Sequence, residues 1–187
     1  MDGGYLDGGF SNPSTESAAA FRQIMEVVAR PGVICEVAGA QPPAPLSPAA
    51  GAVLLTLCDA DTSVYLAGSV DTPDVRSWIA FHIGAPLVGP AHATFALGRW
   101  DELMPLGQYP IGTPEYPDRS ATLIVEMPSL DAAGATLRGP GIKDTAHLSL
   151  PDVAPFQENA LHFPLGLDFI FTCEQRVAAL PRSTEVS

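Results

Sequence analysis

Two basic side chains, Arg138 and Lys143, flank the turn Gly139-Pro140-Gly141, the first place where residue types and spacing could do chemistry. A cationic, glycine-rich turn can cradle a phosphorylated group. Proline fixes the middle φ at about −65°, while glycine leaves positive φ open on either side. The segment therefore reads first as a rigid turn. Phosphate-binding fingerprints have a wider glycine spacing, a preceding strand and a following helix N-terminus. Here Asp144-Thr145 leads into Ala146-His147-Leu148-Ser149-Leu150, which alternates like a strand, so a structural turn is favoured over a ligand loop. A companion run, Phe163-Pro164-Leu165-Gly166-Leu167-Asp168, asks for an equally specific backbone path.

The second candidate is the stretch from Gly107 to Arg119, where Pro110, Pro114 and Pro117 forbid regular structure. Long loops in compact domains are often functional. Tyr109, Glu115, Tyr116 and Arg119 make this one the expected partner contact or site rim. Asp59 and Asp61 could begin a metal loop, but an EF-type loop needs further oxygen ligands and a closing Glu, so a capped turn fits better. His82 and His92 match no common metal spacing, and a histidine beside aromatic residues is more often a hydrogen-bonded structural group. There is no Gly-x-Ser-x-Gly elbow, Walker loop, His-Glu-x-x-His or iron–sulfur cysteine spacing. The sequence nominates no catalytic pair, no metal and no cofactor.

Alternating helices and strands must position these residues. The spacing predicts a helix from Pro13, with Asn12 as N-cap and Pro31-Gly32 as its stop, on which Phe21, Ile24, Met25 and Val28 form one stripe. Burying those four side chains would contribute roughly 6 to 12 kcal/mol before entropy is counted. Arg22 is either an anion or partner contact or, more simply, part of a solvated face. Ser47-Pro48 and Thr72-Pro73 repeat the cap-plus-proline start. They open a helix through Leu54, Leu55 and Cys58, and another with Val75, Trp78, Ile79 and His82 on a common face. Strands are expected over 33–37, 63–67, 94–97, 121–127, 136–137, 146–150 and 167–173, with short helices near 101–106 and 155–160. The later strands are β-branched and apolar enough for central positions in one sheet. Residues 1–11 read as a mobile or extended arm that Tyr5, Leu6 or Phe10 could pin, and 180–187 as a polar, exposed tail whose Arg182 reaches an acidic partner. The sum is one α/β domain over 1–187, a central, mostly β-sheet flanked by helices.

The 187 residues carry a formal net charge of −12, which argues against nucleic acid or an anionic membrane surface as partner. Hydrophobic residues make up 47% of the chain and charged ones 16%, so some apolar surface is expected against another chain. Cys35, Cys58 and Cys173 form no CxxC pair and read as free thiols of a reducing cytosol. No basic residue precedes an apolar run near Met1, and the apolar stretch from Ala49 to Cys58 is too short for a bilayer, so a soluble cytoplasmic protein is expected.

Several short motifs recur in a fixed order along nearly the whole chain. They are Phe21-Arg22 with Pro31-Gly32, Leu55-Thr56-Leu57 with Asp59 and Thr62, Trp78 with Phe81-His82, and Ala85-Pro86. Phe95-Ala96-Leu97, Pro114-Glu115, Ala121-Thr122-Leu123-Ile124, the two Gly/Pro runs and Leu180-Pro181-Arg182-Ser183-Thr184 complete the set. In this order they resemble the PhnH family, the H subunit of the bacterial carbon–phosphorus lyase core complex. Tyr116-Pro117-Asp118-Arg119 lengthens one gap relative to that pattern, and Ser183 stands where Thr is expected.

The resemblance implies a fold like the large domain of pyridoxal-phosphate-dependent transferases. That chemistry requires a lysine amine, and Lys143 is the only lysine of the chain. Without a phosphate cup or a second domain to close the site, no bound pyridoxal phosphate is expected. The resemblance further implies an accessory subunit acting with the G, I, J and L proteins in phosphonate breakdown. In that scheme a phosphonate is first joined to the ribose carbon of a purine nucleoside triphosphate, the ribose 1-methylphosphonate 5-triphosphate synthase step, and subunit J later cleaves the carbon–phosphorus bond. The H subunit pairs with itself when isolated and docks on subunit I. The alternative is a stand-alone enzyme or binding protein that holds a phosphorylated substrate with Arg138, Lys143, the Gly-Pro-Gly turn and the Tyr109–Arg119 loop. Lys143→Ala should leave growth on a phosphonate unchanged; complete loss in a stably folded variant would restore a cofactor role for this amine.

Overall fold

Prolines placed one residue after a capping position start the first three helices: α1 (Pro13–Ala29), α2 (Pro48–Leu57) and α3 (Pro73–His82). At N1 a proline loses nothing, because that amide has no partner within the helix. Ser47 Oγ accepts from Ala50 N–H at 3.1 Å and Thr72 Oγ1 from Val75 N–H at 3.2 Å. Asn12 caps α1 differently from expectation: its side chain makes no capping bond, and its own amide donates to Glu16 Oε2 at 2.7 Å. The computed structural model describes residues 7–187; Tyr5 and Leu6 of the expected arm lie outside them. Within the arm, Gly8 O accepts from Gln41 N–H and Phe10 packs against the core, so this part is pinned rather than loose.

Among the described residues nine strands form two sheets. In chain order they are β1 (Cys35–Glu36), β2 (Val64–Leu66), β3 (Phe95–Arg99), β4 (Thr122–Glu126), β5 (Ala135–Arg138), β6 (Ala146–Leu148), β7 (Asp168–Cys173), β8 (Arg176–Leu180) and β9 (Glu185–Val186). The main sheet has the order β1-β8-β7-β4-β3-β2. Strands β2, β3, β4 and β7 run parallel, while β8 pairs antiparallel with both β7 and β1. Parallel strands need both faces covered. Leu97, Ile124 and Ile170 on one face pack in the cluster formed with α1, α2 and α3. Leu123, Val125, Phe169 and Phe171 on the other pack with Leu103 of α4 (Trp100–Leu103), Phe156 of α5 (Ala154–Ala160) and the small sheet β6-β5-β9.

Three expectations change. Strands β5 and β6 leave the main sheet: β5 pairs with β6 on one edge and β9 on the other, burying only the side that carries Leu137 and Leu148. The tail 180–187 is only partly exposed, since Glu185–Val186 is a strand and Leu180, Thr184 and Val186 are buried while Glu185 and Ser187 face out. Leading into it, Arg176-Val177-Ala178-Ala179-Leu180 forms an unexpected strand. An alanine-rich strand lacks the β-branched signal that would mark it. On α1 the buried face is Ala20, Ile24 and Val27, whereas Phe21 and Met25 remain 47% and 44% exposed. Small residues let α1 sit close to α2 and β8, which turns the larger side chains outward. No helix among the described residues is long and apolar enough to cross a membrane.

The Gly139-Pro140-Gly141 turn has φ of +135° and +82° at its two glycines. It packs on the end of α1: a Cβ on Gly141 would lie 1.9 Å from Ala29 O. Gly141→Ala should therefore cost about 2 kcal/mol or more in urea denaturation. Gly107→Ala, where added carbon meets nothing within 4 Å, should stay within about 0.5 kcal/mol of the parent.

Candidate functional site

The apolar runs of β3 and β4 each end in a charge, Arg99 and Glu126, because only the ends of a sheet covered on both faces can carry one. Register places Arg99 opposite Glu126 and Glu126 opposite Thr172. Side chains alternate along a strand, so all three point to the face that carries Leu97, Ile124 and Ile170. After β2 the chain turns through Gly68–Val70 into α3 on this face, and after β3 it passes into α4 on the other. Connections that leave to opposite faces open a crevice at the carboxyl ends of parallel strands, where α/β sheets hold ligands. The crevice encloses about 600 Å³. Ser69 and Arg99 stand on one side, Glu126 in the middle, Cys173 and Glu174 on the other, and Pro48 at the start of α2 closes it.

Hydrogen bonds hold the carboxylates of this end. Glu126 Oε1 accepts from the Ser47 backbone N–H at 2.7 Å and Oε2 from the Thr172 hydroxyl at 3.0 Å, tying the start of α2 to two strands. Burial pushes the Glu126 carboxyl above its usual range, and these bonds offset the rise only in part. For Glu102, burial acts upward too, but bonds from the Ser69 amide and hydroxyl and from Arg99 N–H outweigh it and leave this group below the usual range. Arg99 Nε lies 3.6 Å from Asp101 Oδ1 in an exposed pair. Glu174 is the single non-glycine residue among those described with positive φ, at +53°, and its carbonyl accepts from Ala49 N–H at 2.8 Å.

The cysteines are poor nucleophiles. Burial drives the Cys58 thiol up to about 12, aided by the charge of Asp59. Burial also raises Cys35 and Cys173, with Glu26 and Glu174 respectively adding to it. A thiol raised in this way stays protonated near neutral pH.

The residues expected from sequence are scattered. Arg138 and Lys143 are exposed on the β5–β6 hairpin, and Gly139, Pro140 and Gly141 form its turn. Tyr109, expected on a rim, is buried because its hydroxyl donates to Leu103 O at 2.9 Å and its ring packs in the core. Glu115, Tyr116 and Arg119 are exposed, with the Arg119 guanidinium 4.0 Å above the Tyr116 ring. Arg182 does not reach outward: it pairs with Asp168, bonds Ser120 Oγ, and donates to Pro117 O at 2.7 Å. His82 is hydrogen-bonded to Asp7 O at 3.2 Å between the rings of Trp78 and Phe81, and Asp59 Oδ1 caps its own turn through Asp61 N–H and the Thr62 hydroxyl. Sequence reasoning missed Arg99, Glu126 and Cys173. The signal that could have found Arg99 and Glu126 is a charge closing an apolar strand run; the neutral Cys173 carries no such mark.

A pyridoxal phosphate in the crevice would need a lysine amine beside it. No lysine lines the crevice, and Lys143 stands on a hairpin of the other sheet. The residues present do not fit that cofactor.

Comparison with known proteins follows the whole chain. Residues 8–187 match the family described as bacterial phosphonate metabolism protein (PhnH). The chain is 41% identical to alpha-D-ribose 1-methylphosphonate 5-triphosphate synthase subunit PhnH of Rhizobium meliloti (strain 1021), over 96% of this chain and 94% of that protein. It is 29% identical to HtxG of Stutzerimonas stutzeri, whose name describes a C-P lyase subunit protein, over 90% and 84% of the two chains.

The raised carboxyl of Glu126 has a signed consequence. With its folded value above the ordinary 4.5, the folded state holds the proton more tightly than the unfolded one, so its contribution to stability is lost as pH rises through the folded value. Glu126→Gln removes that slope. Its stability relative to the parent, from urea titrations at about pH 4 and about pH 8, should improve at the higher pH; an unchanged difference would contradict the assignment.

Proposed function

The chain belongs to the PhnH family of bacterial phosphonate metabolism proteins, and from that premise we propose that it is an accessory subunit of the carbon–phosphorus lyase core complex. Its step is the ribose 1-methylphosphonate 5-triphosphate synthase reaction of phosphonate utilisation, carried out in the cytoplasm with subunits G, I and L, in a complex that also contains J. The observation that carries this reading is the 41% identity with a synthase subunit across nearly the full length of both chains. The chemistry of the crevice supports an accessory role: its thiol is held protonated and its central carboxylate is engaged by Ser47 and Thr172. The sheet is read as a relative of the large domain of pyridoxal-phosphate-dependent transferases that does not carry the cofactor.

The exposed apolar side chains suit a chain held by others. Leu161 is 84% exposed, Phe163 60%, and Tyr116 51%. Arg182 draws two of these segments together by bonding the carbonyls of Pro117 and Pro164. This surface, with Glu115 and Arg119 at its margin, is the docking face for subunit I. The hairpin carrying Arg138, Gly139, Pro140, Gly141 and Lys143 is a second contact within the assembly. Phe21 and Met25 on α1 serve the homodimer of the isolated chain. Aromatic and large aliphatic anchors carry most of the energy of such interfaces.

Tagged protein from phosphate-starved cells should recover the G, I and J subunits. The double variant Leu161→Asp, Phe163→Asp, folded by circular dichroism, should recover about tenfold less of subunit I. Turnover of a nucleoside triphosphate or phosphonate by the purified chain alone would overturn the accessory role.

A further inference from the structure

The crevice at the carboxyl ends of β3, β4 and β7 has chemistry that assembly with other subunits does not account for. Its volume of about 600 Å³ is that of a small-ligand site. At its centre the Glu126 carboxylate is half-buried, and both oxygens are met only by neutral donors, Ser47 N–H and the Thr172 hydroxyl. A carboxylate taken out of water without a cation is costly. Arg99 is one strand away in register, yet it forms no ion pair with Glu126 among the described residues and leans instead toward Asp101. Glu174 adds a second carboxylate to the lining, and Arg99 is the one cation set against the two, so the lining keeps a net negative charge.

The walls specify the rest of the ligand. Pro45, Pro48, Val70, Met127 and Pro128 give an apolar surface with no aromatic ring among the lining residues. An aromatic cage is what a quaternary ammonium needs, whereas aliphatic walls suit a methylene stem that ends in N–H donors. We infer that the crevice binds a small organic cation, an ammonium or guanidinium on an aliphatic stem, with the charged end on Glu126 and the stem against the proline and methionine side chains. The inference does not depend on the accessory role, because it rests on the strand-end charges and the lining alone.

The test is a chemical-shift titration of the ¹⁵N-labelled full chain with n-butylammonium, with n-butanol and butyrate as the neutral and anionic probes of equal length. Butylammonium should move the amides of Ser47, Val70 and Met127 in a saturable manner, and butanol and butyrate should not. Glu126→Gln should weaken butylammonium binding by about tenfold or more, since charge-assisted hydrogen bonds are the strong ones, while Arg99→Gln should leave it equal or tighter. The wild-type comparison of cation with anion stands even if a variant folds poorly. Equal or tighter binding of butyrate, unchanged affinity in the folded Glu126→Gln variant, or shifts confined to residues away from the crevice would each overturn the proposal. So would no saturable shift with butylammonium at all.

Discussion

A parallel sheet buried on both faces leaves charged groups one place to stand, the ends of its strands. In this protein β3, β4 and β7 obey that constraint, with apolar interiors and Arg99, Glu126 and Glu174 at or just beyond their carboxyl ends. The site, its electrostatics and its lack of a strong nucleophile follow from it. Because the covering helices must reach both faces, the connections after β2 and β3 part, and the gap between them is where polar groups gather. The Ser47–Glu126–Thr172 bonds then fasten the start of α2 to the strands beneath.

Much of this order is legible in the sequence, for physical reasons that can be named. Cap-plus-proline pairs at Ser47-Pro48 and Thr72-Pro73 mark helix starts because cap and proline act through local bonds, and both caps form. The Val75, Trp78 and Ile79 stripe is buried, as helical spacing requires. The Gly-Pro-Gly turn has the two positive φ values that its glycines permit. The order of short motifs points to the family that the whole-chain match identifies.

What escaped depends on contacts distant in sequence. β8 has no local strand signal; its alanines are buried because β7 lies beside them through a two-residue turn. The division into two sheets turns on β9 pairing with β5 across almost fifty residues, roughly the longest reach in the small sheet. Arg182 looks like a surface cation until Asp168, Ser120 and Pro117 gather round it. The face of α1 is set by what it packs on, so Ala20 and Val27 replace Phe21 and Met25 in the interior.

Lys143 has a practical bearing of a different kind. Its side chain is exposed at the hairpin between β5 and β6, on the small sheet, and no other lysine exists in the chain. Reagents that acylate primary amines thus have one side chain to find, so a fluorophore or a photo-crosslinker on that ε-amine, told apart from label on an α-amino group by peptide mapping, marks a defined spot without any engineering. Whatever polypeptide it captures must come within the tether's length of that hairpin, which turns a scarcity of lysine into a ruler for neighbouring chains.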